Sequence, residues 1–245
     1  MSTQGILVKI LTEKLGEKFS VKLGIDLEGG KSEEVFKWFL ASILFGARIT
    51  EKIAMNTYHE FERRGVLTPD NILRTGWNGL VEILDAGGYV RYDFKTATKL
   101  LETMRFLKKE YNGNLNNLHS QASDPRDLEH RIKGLGKGIG NVTANIFLRE
   151  LRGVWEKADP SPTELVVLAS RNLGFTKIAG RGERERLEIL SDLKHVWERT
   201  KVEVKKFTDF EAALVRLGRD FCRRKKCKNC PVNKYCKAWK QDIAG

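Results

Sequence analysis

The chain has 245 residues, 41% hydrophobic and 31% charged, enough for one large domain or two modest ones with an ample core. No apolar run reaches membrane-spanning length, which excludes a helical membrane protein. The 44 Lys and Arg against 32 Asp and Glu leave a net charge of +12. That surplus points to a polyanionic partner, nucleic acid before anionic lipid, against the competing reading of a Lys/Glu-rich surface that leans basic.

In chain order, MSTQGILVKILTEKLGEKF reads as an amphipathic helix rather than a signal peptide, because Lys9 and Glu13 break its apolar pattern and no small-residue cleavage site follows. The expectation is a cytoplasmic, nucleoid-associated protein without a membrane partner, monomeric by default. FSVKLGIDL carries the strand-like signal of the chain. SEEVFKWFLASILFGA predicts a helix with Ser32 as its cap, although Val35 stands where a capping box wants glutamate. Its apolar residues run nearly all round, which places it at the centre of a bundle. Shorter helices are expected over 50–64, 69–74 and 77–84, punctuated by Gly65, Gly76, Gly87 and Gly88. DFKTATKLLETMRFLKKEY predicts a helix capped by Asp93, with Phe94, Ala97, Leu101, Met104 and Leu107 at helical spacing. Beyond residue 160, TELVVLASRNLG, ERERLEILSDLKHVWERT and FTDFEAALVRLGRDFC are again helical, so the chain is predicted to be mostly α.

DLEHRIKGLGKGIGNVTANIFLREL places a polar helix, a glycine turn and a new apolar helix in succession. Gly136, Gly138 and Gly140 let the backbone approach a ligand closely and open a helix whose first N–H groups lack internal partners. Such a terminus suits a phosphate oxygen, with Lys133 and Lys137 adding charge. The alternative is a tight turn between two helices that needs glycine only for closeness.

All four cysteines, Cys222, Cys227, Cys230 and Cys236, lie within CRRKKCKNCPVNKYC, interleaved with Arg223, Arg224, Lys225, Lys226, Lys228 and Lys234. In a reducing compartment such a cluster reads as a metal site rather than a disulfide framework. No nucleophile elbow, P-loop or HExxH motif occurs, and the histidines (His59, His119, His130 and His195) show no metal-ligand pairing.

Three passages carry a family resemblance: GKGIGNVTANIFL, EKADPSP, and LGRDFC with the cysteines that follow. Together they resemble the helix-hairpin-helix DNA glycosylases of the endonuclease III type, a likeness that covers about residues 32–236. It implies an all-α fold, with a six-helix barrel module over 30–150 and an iron–sulfur helical module from 1–29 and 151–245. It also implies duplex DNA bearing a damaged or mismatched base as the partner, with one nucleotide flipped out. Asp159 stands where the family keeps its catalytic aspartate; without the likeness it reads as a turn residue, since Ser161 to Glu164 resembles a capping box. A helix expected just after Asp159, with Pro160 or Pro162 in its first turn, would favour the ionised carboxylate. The cysteines correspond to ligands of a 4Fe–4S cluster. The first gap of four residues, where the family usually has six, keeps a four-cysteine zinc site open. Arg223, Arg224, Lys225 and Lys226 would meet phosphate without regard to sequence.

Two positions depart from the pattern. Val142 stands where bifunctional members have the Schiff-base lysine, which implies release of the base by water with little strand cleavage. Ala47 stands where a glutamine often fills the gap left by the flipped base, with Arg48 beside it as a wedge, a phosphate contact or an ordinary exposed arginine. Tyr89, Tyr92 and Trp155 are either base-stacking or core residues. The alternatives to a monofunctional glycosylase are a glycosylase/lyase with a displaced lysine and a DNA-structure binding protein without chemistry.

Overall fold

The computed structural model describes residues 2–180, 182–200 and 202–244. Its α-helices are α1 (Thr3–Leu15), α2 (Phe19–Lys22), α3 (Ser32–Phe45), α4 (Glu51–Arg63), α5 (Pro69–Ala86), α6 (Asp93–Tyr111), α7 (Leu115–Gln121), α8 (Pro125–Gly134), α9 (Asn141–Leu151), α10 (Glu164–Leu173), α11 (Glu183–Thr200), α12 (Phe207–Arg216) and α13 (Lys237–Ala244). Among the described residues there is no β-strand, only an isolated bridge between Arg152 and Trp155. The fold is all-α, and no helix among those residues is long and apolar enough to cross a membrane.

The chain divides into two compact units, Ser20–Pro160 and the pair of segments Met1–Phe19 with Ser161–Gly245. In the first unit α3 is apolar on most of its circumference because it is covered on most of it: Val35, Trp38, Phe39 and Leu40 are wholly buried. Trp38 Nε1 donates to the Phe147 carbonyl on α9 at 3.0 Å, and the Phe39 ring meets Phe147 edge-on at 5.1 Å. The end of α3 lies so close to the start of α9 that a Cβ on Gly46 would strike the Thr143 hydroxyl. This contact sets Ala47 and Arg48 beside the glycine turn. The first unit begins at Ser20, whose amide donates to the buried Glu150 carboxylate at 3.0 Å.

In the second unit α1 packs on α12, with Leu7, Val8 and Leu11 joining Val166, Ile189, Leu193, Phe210 and Leu214 in one core. Arg216 fastens the N-terminal segment. Its Nη1 donates to the Leu15 carbonyl at 2.7 Å and also to that of Glu17, while its guanidinium lies 4.0 Å from the Phe19 ring centroid. Past α12 the chain continues as a π-helical turn, Leu217–Cys222. Gly218 packs there so tightly on the Leu165 carbonyl that no Cβ fits.

Several local expectations are corrected. The strand-like FSVKLGIDL forms the short α2 and a turn: the Ser20 carbonyl accepts from Leu23 and Ile25, and Gly24 takes φ +70°. Leu23, Ile25 and Leu27 alternate because every second side chain is buried under a turn segment, with no partner strand among the described residues. Ser32 is the first residue of α3 rather than its cap, a position held by Lys31, and Glu33 and Glu34 supply the favourable charge in the first turn. Asp93 likewise lies inside α6, behind Tyr92, and its carboxylate accepts from the neighbouring Phe94 amide at 2.7 Å. The expected helices over 69–74 and 77–84, by contrast, are both present and share the label α5: they meet in a kink at Gly76, whose non-helical φ of +69° glycine adopts without strain.

Candidate functional site

The hairpin is built from its ends inward. Asp124 caps α8, accepting the Arg126 and Asp127 amides at 2.8 and 2.9 Å, and those bonds hold its carboxyl below the usual carboxylate range. Leu135 and Ile139 are buried, a Cβ on Gly136 would strike the Thr103 hydroxyl, and Gly138 takes φ +90°. Closeness and positive φ therefore both require glycine in this turn. Gly140 is the cap residue of α9 and offers no side chain to the first N–H groups, and the space above its Cα is open. The arrangement is a helix terminus with donors facing outward, the geometry that accepts an anion.

Lys133 is engaged within the hairpin, bonding Glu129 and the Asn141 side chain, each at 3.1 Å, and so joins α8 to α9. Lys137 has no ion pair among the described residues and lines a cavity with Gly138, Ala47 and the exposed Arg48. Val142 is 61% exposed on the first turn of α9. Of the aromatic candidates, Tyr89 and Trp155 are core residues, whereas Tyr92 lines that same cavity.

Asp159 lies in the segment after α9, between the buried Ala158 and Pro160, with its side chain 36% exposed. The Arg152 guanidinium, whose side chain is only 9% exposed, pairs with it and also donates to the Pro160 carbonyl at 2.9 Å. The sequence reading missed Arg152, whose partner becomes adjacent only when the chain turns through the Arg152–Trp155 bridge. The turn is pinned further by Trp155, which donates to Asn116 at 2.9 Å and stacks on His119 at 4.7 Å.

The expected helix support for Asp159 is corrected. α10 starts at Glu164 behind Thr163, which accepts the Val166 amide at 3.4 Å. Ser161 bonds Glu183 and Glu164 pairs with Arg186, so no capping box joins those two residues. Neither proline lies in the first turn, and Asp159 precedes the cap residue Thr163 by four positions, so no helix starts directly after it. Its counter-charge is Arg152 instead.

Burial, then the nearby charge of Lys157, lowers the pKa of His119 from its ordinary value, with Glu156 opposing. The unfolded chain, where histidine titrates near about 6.5, therefore takes up the proton first. Stability from this group is complete above that pH and is lost as pH falls through the lower folded value. His119→Phe, which keeps a ring on Trp155, is expected to flatten the acid-side decline of thermal midpoint with pH and to leave the curve above neutrality unmoved. Parallel declines in both proteins would show that His119 carries none of it.

The cysteines lie in the second unit. Cys222, Cys230 and Cys236 pack against its core, and the Cys236 thiol donates to the Asn172 carbonyl at 3.4 Å. Burial pushes the Cys222 thiol up, and Cys236 and Cys227 push it further. Burial pushes Cys230 up to about 11, with Cys222, Cys236 and Cys227 adding to the shift. The four thiols thus act on one another electrostatically, and an all-thiol set suits iron–sulfur or zinc and not magnesium or calcium. Among the described residues no three His, Cys, Asp or Glu side chains converge into a metal-holding group. Arg223, Arg224, Lys225 and Lys226 are all exposed between the first two thiols, with Lys225 at φ +52° where the segment reverses.

No protein-family model and no curated protein matches this sequence.

Proposed function

We propose that the protein is a DNA glycosylase that removes a damaged or mismatched base from duplex DNA by hydrolysing the N-glycosidic bond. The observation that carries this reading is the conjunction, in one unit, of an outward-facing helix terminus behind a glycine turn and a fixed carboxylate, Asp159. The amides of α9 and Lys137 take a backbone phosphate, and Arg223 to Lys226 add sequence-independent attraction. When the C1′–N bond breaks, its electron pair leaves with the base and positive charge spreads over the sugar ring. The Asp159 carboxylate offsets that charge and accepts a proton from the water that adds to C1′. Arg152 orients the carboxylate. Val142 has no amine to compete with water, so the product is an intact strand with an abasic site. Cys222, Cys227, Cys230 and Cys236 would hold a 4Fe–4S cluster, with zinc as the alternative, and the group would brace the basic segment structurally.

A second reading, a DNA-structure binding protein, is favoured by the engagement of Asp159 with Arg152. A panel of duplexes, each with one altered or mismatched base, separates the two when analysed with and without alkali. Hydrolytic release predicts strand breaks only after alkali, on one or a few of the duplexes. Tight binding with no release from any duplex would favour the binding protein, and breaks without alkali would reveal an amine acting in place of water.

A further inference from the structure

The cavity beside the hairpin has a volume of about 920 Å³ and lies wholly within the unit Ser20–Pro160. That is the size of pocket that encloses a small organic ligand. Four cationic side chains line it, Arg48, Lys95, Lys99 and Lys137, against the single carboxylate of Glu102. Among the described residues none of the four cations is held in an ion pair or a side-chain hydrogen bond. Lys99 is folded in against the hairpin, such that a Cβ on Gly138 would stand 2.9 Å from its Cε. Burial lowers the Lys99 pKa, so its ammonium gains from an anion placed beside it.

The same wall carries aromatic surface that the core does not use. Phe94 is 58% exposed on the first turn of α6, braced by Trp77 at 5.1 Å between ring centroids. Trp77 is itself fixed by donating from Nε1 to the Thr98 hydroxyl at 3.1 Å. A rigid, exposed ring beside unpaired ammonium groups is the combination that binds single strands: the ring stacks on a base and the cations meet the phosphate. A base inside a duplex has both faces covered by its neighbours and offers none to Phe94.

We propose that this cavity takes an unpaired nucleotide of a single nucleic-acid strand, with its base on the Phe94 ring and its phosphate at Lys99 and Lys137. The site recognises base and phosphate together and does not depend on base release.

The test uses the full-length protein and a labelled single-stranded deoxyoligonucleotide of about ten nucleotides at low salt, within the site sizes of such grooves. Phe94→Ala and Lys99→Gln are each expected to weaken its binding about fivefold or more. Duplex affinity should stay unchanged in both. Glu102→Gln, which removes the one opposing charge, is expected to tighten single-strand binding, and this keeps the test decisive if either other variant folds poorly. Free dAMP, which offers the same base and phosphate without the rest of the strand, should displace it only in part at equal nucleotide concentration. Unchanged single-strand affinity in Phe94→Ala and Lys99→Gln would overturn the proposal, as would no tightening in Glu102→Gln. Parallel losses on the duplex would assign the cavity to the duplex grip, and full displacement by dAMP would assign it to a soluble nucleotide; either result also overturns it.

Discussion

Asp159→Asn is expected to lower base release by about a thousandfold, within the range for loss of a positioned acid–base group, while duplex binding and thermal midpoint stay near those of the wild type. An amide has the shape of the carboxylate but neither offsets charge on the sugar nor accepts a proton from water. Its carbonyl oxygen still accepts from Arg152, so the nearly buried guanidinium keeps a partner. Trading a charge-assisted bond for a neutral one costs about 1 kcal/mol. Asp159→Ala differs, because it leaves Arg152 without its carboxylate. A fully buried broken pair costs about 3–5 kcal/mol, and the partial exposure of Asp159 reduces that to about 1–3 kcal/mol through solvent screening. The asparagine protein thus isolates chemistry from stability. Undiminished turnover in it would falsify the catalytic role and leave Asp159 as an anchor for Arg152.

The second large effect is expected at the cysteines. Cys230→Ser should lose most of the bound metal, seen by elemental analysis, and trypsin should then cut rapidly between residues 223 and 228. The segment 223–236 has little else to hold it. Its regular structure is two three-residue 3-10 turns, Cys227–Asn229 and Asn233–Tyr235, and Val232 is its one wholly buried apolar side chain. Arg223, Arg224, Lys225, Lys226, Lys228 and Lys234 are all exposed and repel one another. Metal bound at a structural four-ligand site contributes about 10–16 kcal/mol to folding in small zinc domains, far more than such turns supply. In the wild-type protein, iron with matching acid-labile sulfide identifies the cluster, and zinc without sulfide identifies the alternative. A wild-type protein with neither metal, and a Cys230→Ser protein equally resistant to trypsin, would leave the thiols as packing residues.

Much of the helical content was legible because burial imposes a period. α3 and α6 follow from their apolar spacing, and the bend at Gly76 from a glycine between two short amphipathic runs. Caps were less legible. Ser32 and Asp93 have the right chemistry for a cap but stand one residue inside their helices, since any of several neighbours can satisfy the first amides. FSVKLGIDL shows how alternation misleads when a turn, rather than a sheet, buries every second residue. At the site, the glycine turn and the thiols are visible in sequence because their members are near neighbours there. Arg152 is visible only in three dimensions, and so is the gathering of Arg48, Lys99 and Lys137 around one cavity, which draws on three separate stretches of chain.

Arg216 and α1 have a consequence for how the molecule is made. The Leu15 carbonyl and the guanidinium that holds it are 201 residues apart in sequence, so on the ribosome the N-terminal helix emerges long before its partner exists. Throughout that interval its apolar face has no core to enter, while the segment Ser20–Pro160 can already complete its own. The first unit to be finished is therefore the one inserted in the middle. The ends of the chain close last, in a step whose speed depends on how well α1 is shielded while it waits.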